Sequence, residues 1–397
     1  VPPASSDPLR IALVCLHTSP ASDPGVGDAG GMNVVVRNQA TALGALGHRV
    51  ELITRRSSPD QPAVSEFAEN VVLRYVDAGP AHPVAKGRHE EFVADFRDAL
   101  RDLGPFDVFH SHHWFSGMAA LPVARERGVP HLQSFHSIAA EESTPLSEGE
   151  RPESPGRLAG EAYLARESDL VVAISAAEAE TVVHRLGGRA DDLRVVSPGV
   201  DSELFRPGAR SDDPSLVVAG RLDPLKGFDL AIEAVALLPE GARPELLIAG
   251  EESVDYADYP ERLRALADER GLGDRVRFVG PQSRGDLAAL LRGAAVVLIP
   301  SHSETYGLVA LEAAASGTPV VAAAAGGLRE AVVDGVTGLV LGSREPRAWA
   351  DALSRILLDP DLARSLSTTA RVRAVGLSWE HSAEALISIY RSQSTSR

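Results

Sequence analysis

Three stretches of this sequence set charged or glycine-rich residues where they could grip an anion. The first, Ala219-Gly-Arg-Leu-Asp-Pro-Leu-Lys-Gly227, follows the short apolar run Ser215–Ala219. Gly220 lets the chain turn closely, and Arg221 and Lys226 place two positive charges at the start of the next helix. Backbone N–H groups and the helix dipole add to them, giving a cradle for a diphosphate. A solvated basic pair is the bland alternative. Lysine usage weighs against it, because Lys86 and Lys226 are the only lysines among 39 basic residues. In so arginine-biased a chain, a surviving lysine marks a place where a compact ammonium is needed and a planar guanidinium will not fit.

The second stretch, Glu304-Thr-Tyr-Gly-Leu-Val-Ala-Leu-Glu312, follows the run ending at Pro300. Carried on one helix, its two carboxylates would lie roughly two turns apart. Glu304, at the helix entrance, could reach sugar hydroxyls, and Glu312 could accept both hydroxyls of a ribose. The alternative is dipole complementation by Glu304 and an exposed Glu312. The third stretch is the loop His17–Asn33, with four glycines ahead of a helix, whose N–H groups can face an anion. A plain glycine-rich connector is the competing reading. Two histidine sites end predicted strands: His110-Ser-His112-His113 and Phe135-His136-Ser137. No further ligand follows at a recognised zinc spacing, so no metal is expected, and polar packing or substrate contact remain.

Short apolar runs alternating with amphipathic segments must position these groups, which is the pattern of a doubly wound α/β protein. Strands are predicted at Arg10–Leu16, Arg49–Thr54, Val71–Val76, Asp107–His110, His131–Ser134, Leu170–Ile174 and Leu193–Val196. Helices are predicted at Asn33–Leu46, Glu90–Leu103 and Ala176–Leu186, the last capped by Ser175. Ser197–Gly208 holds two prolines and two glycines without periodicity and reads as a connection. Beyond it strands recur at Ser215–Ala219, Glu245–Ala249, Arg275–Phe278, Ala295–Ile299, Pro319–Ala322 and Gly338–Leu341. The expected organisation is a Rossmann-like domain over 1–197 and a second over 198–376. A last helix, about Trp379–Arg391 within 377–397, crosses back onto the first. The Pro-rich acidic segment Glu141–Arg157 reads as an exposed loop near the cleft.

The 397 residues suit two domains, and 44% hydrophobic with 24% charged residues is ordinary globular composition. The net charge of −16 argues against nucleic acid and against anionic lipid. No apolar run is long enough to span a bilayer. Residues 1–8 lack a signal-peptide pattern and read as a disordered tail. The single Cys15 lies in an apolar run, so it reads as a core residue in a reduced, cytoplasmic setting. Small diffusible substrates are the expected partners, with no nucleic acid and no membrane, and a homodimer is compatible with the sequence.

Together these features resemble the family-4 retaining glycosyltransferases of GT-B fold, in which two Rossmann-like domains face each other across a cleft. GRLDPLKG and the paired glutamates of SETYGLVALE carry the resemblance, which covers nearly the whole chain. HTSPASDPGVGDAGGMN is similar, more narrowly, to the D-inositol-3-phosphate glycosyltransferases of mycothiol biosynthesis, which transfer N-acetylglucosamine from UDP. The resemblance implies that Arg221 and Lys226 bind the donor diphosphate, Glu304 the sugar and Glu312 the ribose. Gly30, Gly31, Gln282, Thr305, Tyr306, Gly307 and Leu308 complete the donor site, the Gly280–Gln282 loop meeting the base through its backbone. Lys86 and Arg157 fall where relatives hold an acceptor phosphate, and His17, Asn33, His113 and Ser137 also match acceptor positions. His136, Arg221, Lys226 and Glu304 form the implied catalytic set. The nucleotide sugar, UDP-linked by resemblance, is the only dissociable component required, and Mg²⁺ is compatible but not needed.

Relatives read HSHYW where this chain reads HSHHW, have threonine at Ser137, and differ over Ala139–Gly156. The acceptor therefore stays open between inositol phosphate and another small molecule, as in a secondary-metabolite pathway. A nucleotide-sugar epimerase and a non-catalytic nucleotide-sugar sensor are the rival classes. The first would turn over donor without acceptor, and the second would release no nucleotide.

Overall fold

The computed structural model describes residues 7–23, 29–209 and 215–395. The N-terminal tail expected from the sequence therefore lies, up to residue 6, outside the described residues, as do Pro24–Asp28 of the glycine-rich loop. The first sheet holds β1 (Arg10–Cys15), β2 (Arg49–Arg55), β3 (Val64–Ala68), β4 (Val71–Val76), β5 (Val108–His112), β6 (His131–Ser134), β7 (Leu170–Ala173) and β8 (Leu193–Val195). Their spatial order is β3-β4-β2-β1-β5-β6-β7-β8, and only the β3–β4 pairing is antiparallel. The second sheet holds β9 (Leu216–Ala219), β10 (Leu246–Ala249), β11 (Val276–Gly280), β12 (Val296–Ile299), β13 (Val320–Ala323) and β14 (Leu339–Leu341). It is wholly parallel, in the order β11-β10-β9-β12-β13-β14.

Parallel sheets need cover on both faces, which is why their strands read as continuous apolar runs. In β1 the alternation sends Ile11, Leu13 and Cys15 to one core cluster, and Ala12, Val14 and Leu16 at its end to another. Cys15 is free and fully buried, and burial pushes its thiol above the ordinary range. β3 escaped the sequence reading because Val-Ser-Glu-Phe-Ala is an edge strand with no buried residue and therefore no apolar run. The predicted helix at Glu90–Leu103 divides into a 3₁₀ segment, Lys86–Phe92, and an α-helix, Val93–Arg101.

The chain leaves the first sheet after β8, enters the second at β9 and returns near Leu377. Val200 N–H donates to Leu377 O at 2.9 Å, so the two crossings lie side by side. The final helix, Trp379–Thr395, packs Ala383, Leu386 and Tyr390 into the core of the first half. Tyr390 Oη meets His110 Nδ1 at 2.8 Å, and Gln39 Nε2 donates to Ser382 Oγ at 3.0 Å. Replacing Tyr390 with Phe leaves the buried His110 Nδ1 without this partner. We expect a loss of about 1–3 kcal/mol in urea unfolding; an unchanged midpoint and slope would show that this contact does not anchor the helix.

Candidate active site

In doubly wound sheets the loops after the strands collect ligands where the strand order reverses. Here that is beside β1 and β5 in one half and beside β9 and β12 in the other. These loops border a single cleft of about 370 Å³, lined from both halves.

After β9, Asp223 accepts the Leu225 N–H at 2.6 Å and caps the 3₁₀ turn Pro224–Lys226. Gly227 ends that turn at φ +68°, where an added Cβ would stand 2.2 Å from Pro300 O. Only glycine fits so close to the loop after β12, and that approach brings Lys226 beneath it. Lys226 Nζ donates to Glu304 Oε2 at 2.8 Å, and Ser301 Oγ reaches the same oxygen at 3.3 Å. Burial by itself would weaken the Lys226 ammonium, but Glu304 and Asp223 outweigh it and raise its pKa. Burial likewise raises Asp223, against the opposing charge of Lys226. Arg221 lies exposed on the wall of the same cleft.

The two glutamates do not share a helix. Gly307, at φ +106°, caps the helix Leu308–Ala315, so Glu304 stays in the preceding loop with Thr305 and Tyr306. Glu312 is buried on that helix, and Arg284 Nη1 donates to its Oε1 at 2.7 Å. Burial raises the Glu312 pKa, with Arg284 opposing. Glu312 is therefore paired with Arg284 in the fold and is not the exposed carboxylate of the bland reading. Arg284 went unnoticed in the sequence, where it is one arginine of many. In the fold its guanidinium lies 4.7 Å from the centre of the Phe205 ring. Gln282 Nε2 folds back onto Val279 O at 2.9 Å and Gly280 O at 3.2 Å, so its side chain braces its own turn.

Across the cleft, Gly30 and Gly31 begin the helix Gly31–Ala45, and a Cβ on Gly31 would touch Leu308 Cδ1 at 3.4 Å. Asn33 turns out to hold this loop. Its Oδ1 accepts the Gly30 N–H at 3.0 Å, and its Nδ2 donates to Ser19 O at 2.8 Å and Thr18 Oγ1 at 3.1 Å. Its amide is thus engaged within the loop, and Asn33 lines the cleft as well.

His113 and His136 close β5 and β6 at φ +69° and +63°. Left-handed conformations cost energy in non-glycine residues and cluster at working sites. Thr305 Oγ1 donates to the His136 carbonyl at 2.8 Å, joining the halves directly over the cleft. The His136 ring pairs through Nε2 with His112 Nδ1 at 2.8 Å, and burial lowers its pKa to about 3. Burial also holds His17 and His113 neutral, their rings 4.3 Å apart. His17 Nδ1, His136 Nδ1 and both nitrogens of His113 are buried and make no hydrogen bond with the described residues. Such groups call for a polar occupant. Among the described residues no set of three or more His, Cys, Asp or Glu is placed to hold a metal ion.

The loop Glu141–Arg157 is largely exposed over residues 141–148 and reaches the cleft at Gly149 and Glu150, as expected, but its later residues build a charge network around a buried arginine. Arg157 has no solvent exposure and binds Glu150, Glu153 and Glu161, the last at 2.8 Å. Lys86 Nζ lies 3.4 Å from Glu150 Oε1, and Ser137 Oγ donates to that oxygen at 2.8 Å. The sequence reading had brought Lys86, Ser137 and Arg157 forward without the carboxylates that face them. Glu178 was missed as well. It accepts the Ile174 N–H at 2.7 Å and the His136 N–H, and so supports the strained turn at His136.

This pair of facing α/β halves is the GT-B architecture, and the chain belongs to the group 1 glycosyltransferases, enzymes that move sugars. The model for "Glycosyl transferases group 1" matches residues 200–373, and that for "Glycosyl transferase 4-like domain" matches 30–199. Relatives named D-inositol 3-phosphate glycosyltransferase include that of Saccharomonospora viridis, 41% identical over 97% of this chain and 94% of the relative. That of Frankia alni is 42% identical over 95% and 98%. Sucrose-phosphate synthase from Thermosynechococcus elongatus superposes with a TM-score of 0.87 at 32% identity, over 98% of this chain and all of its own. The Anabaena protein HepE in complex with UDP and glucose shares the fold, with a TM-score of 0.77 at 21% identity over 97% of this chain and 100% of its own. No helix among the described residues is long and apolar enough to cross a membrane.

Burial lifts Glu178 and Glu161 from an ordinary 4.5 to about 7 in the folded state. Between those values the folded chain holds more protons than the unfolded one, so stability falls as pH rises. The contribution is complete below about pH 4.5 and lost by about pH 7. Glu178→Gln is expected to remove one proton from that slope in urea unfolding followed from pH 4.5 to 7.5; an unaltered slope would place the proton elsewhere.

Proposed function

We propose that this enzyme moves a hexosyl group, with retention at the anomeric carbon, from a nucleoside diphosphate sugar to a small cyclitol acceptor that carries a phosphate. One observation carries this reading. Lys226 with Glu304 stands on one wall of the cleft, and Lys86 with Ser137 stands on the other, backed by the buried Arg157. A diphosphate and a second anionic group can thus be held at once, with the sugar between them. An inositol phosphate acceptor fits the names of the 40%-identical relatives, and a UDP-linked donor fits the UDP bound by a protein of the same fold; N-acetylglucosamine as the sugar follows from the resemblance of His17–Asn33.

Arg221, Lys226 and the N–H groups at Gly307–Leu308 and Gly30–Gly31 balance the charge that grows on the leaving diphosphate. Glu304 and Thr305 address the sugar, Glu312 with Arg284 the ribose, and the Gly280–Gln282 backbone the base. His17 and His113 offer neutral ring nitrogens to acceptor hydroxyls, with Asn33 shaping the loop beneath. No carboxylate serves as nucleophile in this scheme. The acceptor hydroxyl attacks on the face the diphosphate leaves, the new C–O bond forms as the old one breaks, and the departing phosphate oxygen takes the proton. His136 is too weak a base to compete for that proton, and acts through its carbonyl and ring dipole on the developing positive charge. Closure of the halves keeps water from the donor.

Screening UDP-, GDP- and dTDP-sugars against inositol phosphate and free cyclitols, with products read by mass spectrometry, tests the reading. Absence of transfer with every pairing would overturn it. Lys226→Ala should lower kcat by about 10²-fold or more, the scale of a lost oxyanion contact; near-normal turnover would remove Lys226 from the diphosphate. Lys86→Ala should chiefly raise the acceptor KM, whereas a raised donor KM would move Lys86 to the other substrate.

A further inference from the structure

The anion seat on the acceptor wall is already filled by the protein itself. Three donors converge on one oxygen, Glu150 Oε1: Arg157 Nη1 at 2.5 Å, Ser137 Oγ at 2.8 Å and Lys86 Nζ at 3.4 Å. This is the arrangement a phosphate oxygen would adopt, and Lys86, Ser137 and Glu150 all border the cleft. We propose that Glu150 is a built-in competitor for the acceptor's phosphate: its carboxylate holds the anion seat and yields it to a phosphate ester but not to an uncharged polyol.

The two cations differ in how far they need Glu150. Arg157 is also bound by Glu153 and Glu161, so withdrawal of Glu150 does not strand a buried guanidinium. The ion pair of Lys86 is with Glu150, so this ammonium must receive another anion when the carboxylate leaves. A phosphate ester brings that charge and several acceptor oxygens at once. A cyclitol without phosphate brings only hydroxyls, and Glu150 stays. The side chain can turn away without refolding the chain, since it keeps 22% of its exposure on the cleft side of the network. Its backbone remains pinned, with Ala140 N–H donating to Glu150 O at 2.9 Å.

Displacement lowers the apparent affinity for phosphate by the fraction of molecules in which the seat is open. The inference rests on the acceptor reading given above, and inorganic phosphate separates the two. Calorimetric titration of phosphate into the full chain, with UDP present, should give binding at least about tenfold tighter for Glu150→Gln than for the unaltered enzyme. Adding Lys86→Ala to that variant should abolish the gain. Equal or weaker phosphate binding by Glu150→Gln overturns the proposal, because Glu150 would then be organising the cations rather than competing for them. A fall in thermal stability with no gain in phosphate affinity overturns it equally, and Glu150→Asp, which keeps the charge on a shorter arm, should fall between. In turnover, Glu150→Gln should raise kcat/KM for inositol phosphate through KM, leaving free inositol no better a substrate. If phosphate binds as stated while no sugar is transferred to inositol phosphate, the role of Glu150 stands and the proposed acceptor falls.

Discussion

Strand direction is the constraint from which the rest follows. Every strand pairing but one is parallel, so the loops after the strands gather on one edge of each sheet, and the two edges meet across the cleft. Parallel connections bury both faces of each sheet, which leaves the edge loops as the place where polar groups can reach a ligand. The cleft residues therefore gather in the segments that follow strands, those after β1, β4, β5, β6, β9, β11 and β12 among them. It is there that the chain tolerates left-handed histidines and glycines without room for a side chain.

Charge inside this cleft is handled by pairing. Lys226 keeps its proton against burial because Glu304 and Asp223 stand beside it. Arg157 keeps its charge with no exposure at all because glutamates surround it. Removing one partner of such a group is costly, whereas exchanging it for another anion of suitable shape is not. Under the proposal for Glu150 the cleft trades its own carboxylate for the phosphate of a ligand, which reconciles stability when closed on itself with receptiveness to a multiply charged substrate. The imidazoles behave differently. Desolvation holds them neutral, which suits hydroxyl recognition rather than proton transfer.

The sequence makes the sheets legible because buried parallel strands are apolar throughout. The runs at Val71–Val76 and His131–Ser134 fall on the observed strands residue for residue. It hides β3, whose half-exposed residues carry no period that burial would impose. The cations of the site are readable from the scarcity of lysine and the glycines around Lys226. The counter-charges of Lys86 and Arg157 are not, because Glu150 and Glu153 lie in a segment rich in acid and proline, where local pattern says only that a loop is soluble, and Glu161 is one more acid on the helix Arg157–Glu167. Arg284 and Glu312, 28 residues apart in sequence, meet through the packing of two helices. Such a pairing leaves no local trace.

Finally, the chain joins its halves twice, and the joins touch. A Cβ on Gly199 would lie 2.3 Å from Trp379 N, so the outgoing and returning strands run against each other with no space between. A single tether would let the halves tumble freely. Two abutting tethers restrict the relative movement of the halves more than one would. The Thr305–His136 contact and the hydrogen bonds from the N–H groups of Ala176 and Ala177 to Glu330 tie the halves together away from that junction.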